Sequence, residues 1–243
     1  MQQTLRTAFV GRWVRYFGQS VLPAGLWYSD EDRYGAQSHR ARGHSCVLSL
    51  LRPVWEGRTV VMSADTIGCA GGKRYAGFDG TPRPELADFL SCGVPGKFEG
   101  LRLKKRADLV HTQTDYESAT GRFLVGKRID TIEADEEPEV VVFLARPDAL
   151  SALYHLAVFA TAEPDAVICP QGAGCAQILH HPRAQAHRAE PRAILGMFDL
   201  SARPFVDPAV LSLAVPWVRF EQMANDMDAS FLDTPGWRKL RDR

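Results

Sequence analysis

The residues of this chain best suited to chemistry are its five cysteines, and two of them sit among glycines. "TIGCAGGKRYAGF" (66–78) places Cys69 between Gly68 and the pair Gly71–Gly72. "CPQGAGCAQI" (169–178) places Cys175 directly after Gly172 and Gly174. Cys46 follows "RGHS" where a helix is expected to open. An iron–sulfur cluster is bulky, and its sulfurs accept hydrogen bonds from backbone N–H groups, so side chains must be absent where the backbone comes close. A helix start adds unpaired N–H donors and a field that favours thiolate. Cys46, Cys69 and Cys175 are therefore candidate ligands of an iron–sulfur cluster, with Gly68, Gly71, Gly172 and Gly174 as its cradle, structural or reactive thiols being the competing readings.

The other two cysteines read differently. Cys169 ends the apolar run "AVIC", which suits a small buried hydrophobe. Cys92 closes "ELADFLSC" just before Gly93, where core packing explains it equally well. No Cys-x-x-Cys pair exists, which excludes a ferredoxin run or a zinc ribbon, so any ligands must converge from distant segments. In "DLSARPFVDP" (199–208), Arg203 and Asp199 flank a turn, and Arg203 is a candidate clamp for a substrate carboxylate. An ion pair tying that turn to the sheet is the competing reading. "GCAGGKR" fails the phosphate-loop spacing, with Arg74 where Ser or Thr is needed. His44 alone beside Cys46 makes no zinc site. His180 and His181 suit a helix end, and "LRLKKR" (101–106) suits a solvated face.

The elements that position these residues are partly legible. Leu5, Phe9, Trp13 and Phe17 recur every four residues, which predicts an opening helix stopped by Gly18. "CVLSLLRPVWEG" predicts a short helix interrupted at Pro53 and closed by Gly57, and "RTVVMSAD" a strand. "RPELADFLSCG" predicts a helix ending at Gly93. In the second half, "EVVVFLAR", "DAVICP" and "RAILGMFDL" predict strands, with "PDALSALYHLAVFA" a helix between the first two. "GAGCAQILHH" predicts a loop that opens a short helix, and Thr234–Pro235 an N-cap and first turn for the C-terminal helix. The fold class is α/β, with α+β elements in the N-terminal half and helices flanking a mixed sheet. One domain over 1–243 is expected, divisible into two subdomains meeting near residue 135.

Composition narrows the function. The 243 residues are 45% hydrophobic and 24% charged, ordinary for a globular protein, with Lys+Arg and Asp+Glu both at 29. That balance gives no reason to expect a nucleic-acid or membrane surface. Neither a secretory leader nor a bilayer-spanning run is legible, so a cytoplasmic location with reduced cysteines is expected.

"TIGCAGGKRYAGF", "FLSCGVPGKFEGLRLKK", "VVVFLARPDALSAL", "GAGCAQI" and "SARPFVDPAVLSLAVPWVRFEQM", in that order, resemble the uncharacterised ArCR proteins, domain-of-unknown-function family 169. The likeness runs from about Cys46 to the C-terminus. It implies a cysteine-bearing protein of archaea and bacteria, many of them anaerobic, and it places the cysteine motifs on Cys46, Cys69 and Cys175. Some members carry another cysteine in the segment that here reads "LGMFDLSAR", where this chain has Gly196, Phe198 and Asp199. Either Cys92 supplies a fourth ligand or the fourth iron stays open. The expected function is thus a [4Fe–4S] protein, redox or lyase-like, with a small-molecule substrate or a redox partner. The alternatives are a metal-free thiol enzyme, with Cys175 or Cys46 activated at a helix start, and a small-molecule-binding module.

Overall fold

The apolar run VVVFLA forms β4 (Val140–Ala145), and its alternation divides the molecule into two cores. Val141, Phe143 and Ala145 face one of them; Val140, Val142 and Leu144 face the other. The computed structural model describes residues 2–35, 45–79, 84–97, 102–106, 117–161 and 163–242. Its single sheet also contains β1 (Ala24–Ser29), β2 (Val60–Met62), β3 (Phe123–Arg128), β5 (Val167–Ile168), β6 (Ala193–Gly196) and β7 (Leu211–Pro216). The strand order is β2-β3-β1-β4-β7-β6-β5, and only the β5–β6 pair is parallel. This is the expected α/β fold with a mixed sheet and flanking helices.

Four helices cover the first face: α1 (Gln2–Phe17), α6 (Pro147–Phe159), α8 (Trp217–Asp226) and α9 (Pro235–Arg241). Phe9, Trp13, Phe143 and Phe220 form its aromatic centre. The short α2 (Asp32–Gly35) adds Tyr34 to the same core. The second face carries α3 (Val47–Leu51), α4 (Ala70–Tyr75) and α5 (Pro84–Leu90). A π-helical turn (Ala176–His180), which continues into α7 (His181–Gln185), completes that face.

Punctuation residues act as their chemistry predicts. Gly18 and Gly57 end their elements at positive φ (59° and 84°), a conformation that suits a residue without Cβ. Pro53 turns α3 into a 3-10 segment, and Thr234 caps α9 by accepting from Trp237 N–H.

Three findings depart from expectation. The first half supplies three strands, not one, because β1 and β3 carry little periodic signal. Four successive β1 residues are buried, and β3 contains Gly126 and a buried Lys127. Lys127 is tolerated because Glu136 receives its ammonium at 2.7 Å. Cys169 lies just past the two-residue β5 and is exposed rather than buried. His181 does not end a helix: the π turn runs through it into α7. The strands on either side of residue 135 occupy opposite parts of the sheet, and β1 and β4 form the seam between them.

Candidate functional site: a thiol cluster on one sheet face

Each of the three candidate cysteines stands at a helix start on the second face. Cys46 is the N-cap of α3. Cys69 is the N-cap of α4, and its sulfur accepts from Gly72 N–H at 3.4 Å. Cys175 immediately precedes the π turn. The Cys69 N–H donates to the Ser45 carbonyl at 3.2 Å, which fastens the first two segments together. Cys175 reaches them from the loop after β5, at the carboxyl end of a parallel strand, where open α/β sheets place their sites.

Electrostatics show the convergence. Burial pushes the Cys175 thiol well above its ordinary pKa, and the nearby Cys69, Cys46 and Asp199 push it further. Burial raises Cys46 too; the Leu48 and Ser49 backbone N–H groups oppose the rise, and Cys69 and Asp199 add to it. The helix starts were expected to make these thiols acidic. Desolvation and mutual repulsion win instead, because both act on the charged form.

Asp199 organises the site. Its Oδ2 accepts from Gly174 N–H at 3.0 Å, beside Cys175, while Oδ1 receives Arg102 Nη1 and Ser201 Oγ, both at 2.7 Å. A buried carboxylate engaged in this way ties the Cys175 loop to the 102–106 segment. Arg102 also lies over the Phe89 ring at 4.6 Å, so this part of the basic run is packed rather than solvated. Arg203 spends Nη1 on the Val210 carbonyl and Nη2 on that of Pro208, each at 2.7 Å, which closes its own turn. Both residues expected to bind substrate, Arg203 and Asp199, are thus bonded to protein groups.

The glycines act in two ways. A Cβ on Gly174 would stand 2.8 Å from Ala202 Cβ and 3.1 Å from Leu48 Cδ1, so glycine lets the Cys175 loop approach α3. A Cβ on Gly71 would meet Leu86 at 3.3 Å and the Cys69 sulfur at 3.9 Å. Gly172 has open space, with nothing within 4 Å of a Cβ, and Gly68 is exposed. Cys92 stands apart electrically: its thiol meets the Gly93 carbonyl at 3.6 Å and is not among the charges acting most strongly on Cys46 or Cys175. His44 lies outside the described residues.

Sequence reasoning missed Tyr75 and Arg102. Tyr75 ends the helix that Cys69 caps; burial, and then the charge of Cys175, keep its hydroxyl protonated. Its position one helical length after Cys69 was the available signal. A cavity of about 670 Å³ lies on the same sheet face, walled by Leu48, Val142, Leu144, Ile178 and Met197; none of the described cysteines lines it. Met197 has φ 74°, a strained conformation for a residue with a side chain, and its N–H donates to buried Gln177 Oε1 at 2.7 Å.

Among the described residues, no group of three His, Cys, Asp or Glu side chains is arranged to hold a single metal ion. A cluster makes a different demand, since its iron atoms occupy separate corners and each takes its own thiolate. Three thiols at neighbouring helix starts, close enough to act on one another's charge, are donors of the kind such a cluster takes. Among the described residues no helix is long and apolar enough to cross a membrane.

No curated protein and no solved structure matches the chain. One family does, over residues 24–226, a span that contains all three candidate thiols, Asp199 and every cavity-lining residue but Val21. The chain belongs to the uncharacterised ArCR proteins, domain-of-unknown-function family 169.

Proposed function

We propose that the chain is a [4Fe–4S] protein in which Cys46, Cys69 and Cys175 are the protein ligands. The observation that carries this reading is the meeting of three thiols from segments far apart in sequence. Core packing gives no reason for three thiols at helix starts to lie within electrostatic range of one another, whereas a shared inorganic body would. The segment "LGMFDLSAR" (195–203), where the family resemblance implies a further cysteine in some members, contains Asp199, whose charge acts on Cys46 and Cys175. A bound cluster would supply either electrons or, through an iron without a protein ligand, a Lewis acid.

The protein's own groups have definable roles. The Gly72 N–H already donates to the Cys69 sulfur, as it would to a thiolate ligand. Tyr75, held protonated beside Cys175, is a hydrogen-bond donor to sulfur or to a substrate. The cavity walled by Leu48, Val142 and Ile178 on the same face has room for a small, largely hydrophobic molecule. Raised thiol pKa values argue against a metal-free nucleophile, which needs a depressed one.

The test is reconstitution with iron and sulfide under anaerobic conditions. About four irons per chain and a broad visible absorption are expected. Cys46→Ser, Cys69→Ser and Cys175→Ser should each lose most of both, while Cys169→Ser retains them. Wild-type protein that stays colourless and iron-free would end the proposal. Cys92→Ser decides between three and four cysteine ligands.

A further inference from the structure

Arg219, on the first turn of α8, is 1% exposed, yet it has no carboxylate partner among the described residues. Among the described residues its guanidinium makes one hydrogen bond, Nη1 to Gln222 Oε1 at 2.9 Å, and its buried Nε has no acceptor. A guanidinium carries five N–H donors in a planar fork, so most of its capacity is unused. Buried charges are ordinarily paired, because an unpaired one forfeits its hydration without compensation. Burial weakens its hold on the proton, and the charges of Glu190 and Asp226 act on it without contact.

Arg219 lines a pocket of about 380 Å³ that also receives Arg188 and Arg192. Arg192 is engaged with Asp165 by an ion pair, which removes one of the pocket's three acids from the balance. The other two, Glu163 and Glu190, are exposed, so solvent and salt screen them. The exposed Arg188 side chain has no ion-pair partner among the described residues. The pocket lies at the amino ends of β5 and β6, where Ala166 and Arg192 stand. The loops carrying Cys175 and Asp199 leave the opposite ends of those strands.

We propose that this pocket is a second ligand site, separate from the thiols, that takes a small oxyanion of phosphate or carboxylate type. The free N–H groups of Arg219 would hold its oxygens, and Arg188 would close over it. The planar fork matches either oxyanion, and binding would supply the counter-charge that the fold itself withholds. Nothing in this inference requires a cluster.

Thermal unfolding tests it, with inorganic phosphate, malonate and chloride compared at matched ionic strength. Phosphate, malonate or both should raise the melting temperature saturably above the chloride control. Arg219→Gln should abolish that increment and, in chloride alone, melt no lower than wild type. An absent increment in wild type, or one that survives Arg219→Gln, overturns the site. If Arg219→Gln does not fold, Arg188→Ala gives the reading from the surface: half-saturation should move up about ten-fold, and an unchanged titration overturns the proposal. Iron content should be the same in every variant, which separates this site from the thiols.

Discussion

Cys175 and Cys169 are six residues apart and differ completely in surroundings. Cys175 is 8% exposed and repelled by two neighbouring thiols, whereas Cys169 is open to solvent. In metal-free native protein, a limiting alkylating agent should modify Cys169 first and Cys175 last, read by peptide mass spectrometry. Preferential labelling of Cys175 would instead revive a nucleophilic role. Asp199 carries the sharpest energetic expectation at this scale. Asp199→Ala strips the N–H partner from Gly174 and leaves Arg102 charged and 14% exposed without its acid. Urea unfolding should show a loss of about 3 kcal/mol. Asp199→Asn, which keeps an acceptor for Gly174, should lose less. A loss no larger than that of an ordinary surface substitution would mean that the strut is dispensable.

At the scale of elements, the two glycines before Cys175 make opposite predictions. Gly174→Ala drives a methyl group against Ala202 and Leu48 and should cost about 1–3 kcal/mol, with weaker iron retention because the Cys175 loop must retreat. Gly172→Ala adds a methyl to open space and should change stability by under about 0.5 kcal/mol. Paired denaturation curves check both. The contrast also shows what was readable beforehand. Glycine near cysteine was visible, but which glycine is spatially required depends on the neighbour that packs there, and Leu48 and Ala202 come from other segments. The helices with clear stop signals at Gly18 and Gly57, and the one with a start signal at Thr234–Pro235, were legible because those signals are local. β1 and β3 were not, since their burial on both faces removes alternation and Lys127 finds its partner nine residues away. That Cys46, Cys69 and Cys175 come within electrostatic range of one another follows from a sheet order set by long-range pairing, which no local signal carries.

The whole molecule should be acid-sensitive in a defined window. Burial, and then the proximity of His180, pull the His181 pKa from 6.5 down to about 4. The unfolded chain therefore takes up a proton that the native state refuses. Stability is complete above about pH 6.5 and falls as pH drops toward 4, by about 3 kcal/mol in total. Glu136 acts lower on the scale. Burial alone would raise its pKa, but Lys127, Tyr34 and the Glu133 N–H hold it below the ordinary value. Its contribution is present above the unfolded carboxylate pKa and is lost as pH falls through the folded one. Urea midpoints measured from pH 7 to 5 should decline in wild type and flatten in His181→Gln; parallel slopes would remove His181 from the account.

The seam between β1 and β4 has a further consequence. It is joined by three paired positions, Ala24–Val142, Gly25–Val141 and Leu26–Val140, against six in each of the flanking β1–β3 and β4–β7 ladders. Cys46 and Cys69 belong to the chain before that join and Cys175 to the chain after it. Anything gripped by all three would rivet the halves together, and oxygen that corrodes the rivet would let the join breathe. Amide deuterium uptake at Leu26 and Val140 should then quicken on exposure to air, while the aromatic centre around Trp13 keeps its protection.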